Sequence, residues 1–111
     1  MKYIKNIINS FKKDGFNVSL PNVQCDNLSI CFADINGKRD TYCMLDESTI
    51  LYYIIDGNGI FEINDEKVKV GKNDLIEIPP KNRYSYEGNF QMLEIQSQAF
   101  NENELHEFAR L

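Results

Sequence analysis

YYIIDGNGIFEIND, Tyr52 to Asp65, is the stretch on which the reading of this chain turns. ILYYII from Ile50 to Ile55 is apolar on both faces, the habit of a strand covered by two layers. Asp56-Gly57-Asn58-Gly59 then carries the residues of a tight turn, and IFEIN resumes as a second strand, so the stretch predicts a β-hairpin. The two glycines offer no dinucleotide cradle, because a third glycine is missing and a strand, not a helix, follows them.

The same signals extend outward in both directions. Leu28, Ile30 and Phe32 alternate with polar or small residues, INGKRD supplies a turn around Asn36-Gly37, and KVKV at Lys67 to Val70 alternates strictly. LIEI at Leu75 to Ile78 runs into Pro79-Pro80, and YSY and MLEI add further short pieces. Short strands separated by turn signals indicate a sandwich or small barrel, here over residues 27–100. Before it, Ile4, Ile7, Ile8 and Phe11 recur at helical spacing, with Lys12, Lys13 and Gly15 as C-terminal signals, which predicts an amphipathic helix over 1–15. After it, Asn101 as N-cap, Glu104 at the capping-box position and Leu105, Phe108 and Leu111 predict a closing helix over 101–111. The 111 residues make one domain.

Composition narrows the partners. Hydrophobic residues make up 42% of the chain, with seven Phe and six Tyr, enough for a β-rich core or a ligand pocket. A net charge of −5 without a basic, aromatic-studded patch argues against nucleic acid. No apolar run has the length of a membrane span, and MKYIKNIINSFKKDG does not have the pattern of a secretory signal, so the expected location is cytoplasmic. Cys25, Cys31 and Cys43 are odd in number and form no C-x-x-C pair, hence neither a disulfide framework nor a zinc knuckle is encoded.

The order of these elements resembles that of small single-domain cupins, the RmlC-like double-stranded β-helix or jelly-roll barrel. The likeness runs from about Asn36 to Phe100. Gly37 and Gly57 fall at the two glycine positions of the first cupin motif, and Asn73, Pro79 and Tyr84 at the first glycine, the proline and the histidine of the second. The resemblance implies an all-β barrel, here flanked by short N-terminal and C-terminal helices, and often a homodimer. It does not imply a metal. The two histidine positions of the first motif hold Cys43 and Leu45 with a four-residue spacer, or Met44 and Asp46 with three; the glutamate position is Ile50, and the second-motif histidine is Tyr84. A divalent ion needs three or four converging donors, and the one histidine, His106, lies outside the matched region. The expectation is therefore no metal and no cofactor.

Strand parity identifies what replaces the ligands. If Ile50 points inward, Tyr52 and Ile54 share its face; if Tyr84 does, so does Tyr86. The candidate ligand-binding set is Tyr52, Tyr84, Tyr86, Met44, Ile50, Ile54 and Glu94, phenol hydroxyls over an apolar floor, as suits a small organic ligand. On the last strand Phe90, Met92, Glu94 and Gln96 share one face and Gln91, Leu93, Ile95 and Ser97 the other, and parity alone does not say which is inward. Three functions follow: a metal-independent small-molecule binding or sensing cupin; a metal-free enzyme such as a sugar isomerase or epimerase, with Tyr84, Tyr52 and Glu94 or Asp46 as acid and base; and a structural or interaction domain whose barrel is merely filled.

Overall fold

Alternation governs nearly the whole chain, including its two ends. The computed structural model describes residues 3–23, 25–98 and 101–110. Its strands are β1 (Ile7–Lys13), β2 (Phe16–Pro21), β3 (Leu28–Lys38), β4 (Thr41–Leu45), β5 (Ile50–Ile63), β6 (Glu66–Gly71), β7 (Leu75–Ile78), β8 (Tyr84–Ser97) and β9 (Leu105–Ala109). They pair antiparallel throughout: β1-β2-β3-β8-β4-β9 form one path, and β5 joins β8 while also pairing β6 and β7. Buried side chains from β2 through β8 make one hydrophobic cluster, so the sheet curls on itself and its concave side is the core.

The opening stretch is strand from end to end. Asp56 to Gly59 is no hairpin turn: β5 runs unbroken beside β8, and the register slips once between Ile54 and Asp56. That slip reverses the parity, so Ile50, Tyr52 and Ile54 point inward before it and Phe61 after it. The glycines answer to close packing. A Cβ on Gly57 would run into Asn89 O and Phe90, and one on Gly59 into Glu87 O and the Phe90 ring. The hairpin of this region lies further on, where Asn64-Asp65 joins β5 to β6 with Asn64 at φ 54°. Asn36-Gly37 likewise lies inside β3, not in a turn.

Neither expected helix is present among the described residues. Over 3–15, Asp14 and Gly15 have φ of 54° and 84° and close a two-residue turn between β1 and β2, with Lys13 opposite Phe16. Asp-Gly between strand-like runs is a strong hairpin signal, and Phe16, Val18 and Leu20 supply the alternating partner that outweighs the helical spacing of the isoleucines. At the other end Asn101 does cap, accepting from Asn103 N–H, but for only one 3-10 turn, Glu102–Glu104. The chain then becomes β9, because β4 meets β8 at a single residue pair and would otherwise leave most of its backbone unpaired. Met1, Lys2 and Leu111 of the expected helices, and residues 99–100 of the expected barrel, lie outside the described residues.

The glycine positions filled by other residues fit the backbone they must adopt. Asn73 and Lys81 have φ of 73° and 65°, the left-handed region that glycine occupies without cost. Among the described residues no helix is long and apolar enough to cross a membrane.

Candidate functional site

Inside the curled sheet, one half is filled and the other is open. Tyr52, Phe61, Tyr86 and Phe90 pack ring against ring with centroids 5.3 to 6.1 Å apart, which plugs the end of the barrel near the β5 glycines. Beyond this block lies a cavity of about 480 Å³. Its floor is Ile35, Cys43, Leu45, Ile50 and Met92, its polar wall is Arg39, Tyr84, Tyr86, Glu94 and Gln96, and its outer wall comes from the β1–β2 hairpin, including Phe11, Asp14 and Phe16.

The parity of β8 is settled by burial. Phe90, Met92 and Gln96 are buried, so Glu94 faces the interior with them. Each of its carboxylate oxygens is held: Tyr52 Oη lies 2.8 Å from Oε1, and the Cys31 thiol donates to Oε2 at 2.8 Å. Tyr52 Oη also lies 3.1 Å from Tyr84 Oη. A phenol carries one proton and a carboxylate oxygen only accepts, so Tyr52 donates to Glu94 and accepts from Tyr84. The result is a line of hydroxyls ending on a fixed carboxylate at the edge of an apolar cavity. Burial, and next the charge of Glu94, push the ionisation of Tyr52 and Tyr84 well above the ordinary phenol value, and burial raises the Cys31 and Cys43 thiols as well. These groups therefore stand as proton donors at neutral pH.

The four-residue spacer is the one the fold uses. Cys43, Leu45, Ile50 and Tyr84, which stand where cupins carry metal ligands, all line the cavity. Their chemistry does not suit a divalent ion: one protonated thiol, one phenol and two aliphatic chains supply too few donors, and among the described residues no three His, Cys, Asp or Glu side chains come together as a ligand set.

Of the predicted site residues, Tyr84, Tyr86, Ile50 and Glu94 reach the cavity wall. Tyr52 stands behind it, fully buried, its hydroxyl fixing Glu94 and Tyr84. Ile54 is buried in the core beneath and does not line the cavity. Met44 lies on the other face of β4, opposite His106 in β9, because inward residues there are Cys43 and Leu45. Asp46 is bound to the His106 ring, 2.9 Å away, and takes no part in the site. Arg39, Asp14 and Cys31 were not among the predicted residues; Arg39 sat in a stretch read as a turn and Asp14 in one read as a helix.

The family model described as "AraC-like ligand binding domain" matches residues 45–110. The chain belongs to this family. The AraC-like domain here is of the cupin type, and solved structures superpose on it closely. Streptomyces PAC13, solved as a histidine-to-glutamine variant with uridine, is 25% identical, with a TM-score of 0.91 over 100% of this chain and 94% of that one. In another structure, at 25% identity and a TM-score of 0.87 over 93% of this chain and 86% of that one, Pac13 is described as a nucleoside dehydratase. An RmlC-like cupin from Shewanella frigidimarina shares the fold at 11% identity and a TM-score of 0.70, over 93% of this chain and 92% of that one. A curated relative, the uncharacterized protein MJ1618 of Methanocaldococcus jannaschii, is 43% identical over 37 residues; the match spans 33% of this chain and 30% of MJ1618.

Proposed function

We propose that this AraC-like domain binds a small organic ligand of nucleoside type in the cavity, without a metal ion. Tyr84, Tyr86 and Glu94 make the polar contacts, Tyr52 holds them in place, and Ile50, Cys43, Leu45 and Met92 form the apolar bed. The observation that carries this reading is the open volume beside Glu94. At about 480 Å³ it falls within the range of roughly 300–1,000 Å³ typical of small-ligand sites, and the Glu94 carboxylate is an acceptor suited to hydroxyl or imide N–H donors. PAC13 with uridine supports the ligand class.

Calorimetric titration with uridine and other nucleosides tests it. The expected result is saturable one-site binding that raises Tm, weakened about tenfold or more in Glu94→Gln, the effect of losing a charge-assisted hydrogen bond. Absence of binding by every nucleoside at millimolar concentration would overturn the proposal.

A second reading, a metal-free enzyme acting on the same ligand, is favoured by one specific observation. Solved variants of PAC13 replace a histidine or either of two tyrosines. The two tyrosines are spaced as Tyr52 and Tyr86 are here, and the histidine precedes the first by the interval that separates Arg39 from Tyr52. Two of the three positions thus keep their residue type. The third holds an arginine, which takes no proton at ordinary pH, so Glu94 would be the base in this chain and Tyr84 the acid. Conversion of a bound nucleoside to a product one water lighter, seen by mass spectrometry and lost in Glu94→Gln, is the outcome expected of this reading.

A further inference from the structure

Both carboxylate oxygens of Glu94 have partners within the protein, whereas at the Arg39 corner of the cavity one guanidinium nitrogen has none. Arg39, on the link between β3 and β4, is 6% exposed and lines the cavity. Its Nη1 donates to Tyr86 Oη at 3.2 Å and its Nη2 pairs with Asp14 at 3.1 Å, while Nε is buried with no hydrogen-bond partner. Nε and Nη2 form the edge of a guanidinium that matches two oxygens of a carboxylate or phosphate at once. Asp14 occupies half of that edge.

Three further features bear on the same corner. Asp14 belongs to the turn of the β1–β2 hairpin and is partly exposed, so its carboxylate reaches Arg39 from the outer wall of the cavity. Tyr86 accepts from Arg39, which leaves its own hydroxyl proton for another acceptor. Lys13 adds a second cation to the cavity lining. A buried donor left without an acceptor costs free energy that an incoming oxygen recovers.

We propose that Arg39 determines specificity in this cavity, and that the ligand carries an oxyanion, a phosphate or carboxylate, which takes the Nε–Nη2 edge in place of Asp14. The inference rests on the cavity being a ligand site and narrows its occupant from a neutral nucleoside to an acidic one, such as a nucleoside monophosphate, or to a sugar acid. The other end of that ligand offers hydroxyl or N–H donors to Glu94. The ligand's charge is then what distinguishes this chain from a relative with histidine at the corresponding interval.

Titrations of uridine, uridine 5′-monophosphate, glucuronate and inorganic phosphate into the wild type, Arg39→Gln and Asp14→Asn proteins test the proposal. An acidic probe is expected to bind at least about tenfold tighter than uridine, the worth of one charge-assisted contact. The preference disappears in Arg39→Gln and grows in Asp14→Asn, where the competing carboxylate is gone; the tighter acid tells phosphate from carboxylate. Equal affinity for uridine and both acids, or a preference untouched by Arg39→Gln, would overturn it. Should Arg39→Gln fail to fold, Asp14→Asn decides, and no tightening there counts against the proposal. If no nucleoside binds, the wider reading fails, yet Arg39-dependent binding of phosphate or glucuronate sustains the oxyanion site; no oxyanion binding at all removes both.

Discussion

Tyr52, Tyr84 and Tyr86 place three phenol hydroxyls in buried positions, and their ionisation shows how the site is held. Burial raises all three above the ordinary value of 10.0; the Glu94 charge adds to it at Tyr52 and Tyr84, while Arg39 opposes it at Tyr86. Cys31 and Cys43 rise from 9.0, chiefly through burial. Folded-state values above unfolded ones mean that the native protein keeps protons the unfolded chain has released. The stabilisation is complete below the unfolded values and is lost as pH rises past them. Unfolding measured from about pH 8 to about pH 11 should therefore show stability falling with pH, by up to about 1.4 kcal/mol per unit for each group. Tyr84→Phe should make the fall shallower, and an identical slope in that variant would mean that Tyr84 is not one of the groups responsible. Tyr84 was legible in the sequence because a motif position named it. Arg39 was not, since nothing in a local run of turn-like residues marks a side chain that folds back beneath Tyr86.

At the scale of elements, β5 shows why a glycine run was misread. DGNG has turn composition, but Gly59 is there because the β8 backbone and the Phe90 ring come too close for any side chain. Gly59→Ala is expected to destabilise the fold by about 1–3 kcal/mol, the usual cost of overpacking. Urea unfolding measures it, and a change below about 0.5 kcal/mol, the range of ordinary surface substitutions, would show that the strands yield more readily than this packing indicates. β1 and β9 teach the complementary lesson. Ile4, Ile7, Ile8 and Phe11 fit a helix stripe as well as a strand, and short apolar runs do not separate the two. The Asp14-Gly15 turn and the edge of β4, which meets β8 at a single residue pair and is completed by β9, decide between them, the second only through contacts distant in sequence.

Across the whole molecule, Arg110 ties the far end of the chain to the barrel. Its guanidinium, only 3% exposed, pairs with Glu62 of β5 at 3.3 Å and Glu87 of β8 at 3.0 Å, and donates to Ser85 Oγ, Tyr86 O and Arg39 O. Removing one partner of such a network leaves buried charge unpaired. Arg110→Ala is expected to cost about 3–5 kcal/mol and to lower Tm by well over 10 °C in a domain of this size; a shift of a degree or two would show that Glu62 and Glu87 find water instead. The clasp adjoins the cavity wall through Tyr86 and Arg39, so the same variant should weaken ligand binding as well.

Alone, the sequence determined that the chain is mostly β, with a barrel expected over residues 27–100, and that the positions of cupin metal ligands hold thiol, aliphatic and phenol groups, because alternation and motif spacing are written in neighbouring residues. Tertiary structure alone decided that the two ends are strands, that Glu94 faces inward, and that Asp14 and Arg39 meet at the cavity. These outcomes depend on which backbone edges remain to be paired and which side chains a curled sheet brings together across the chain.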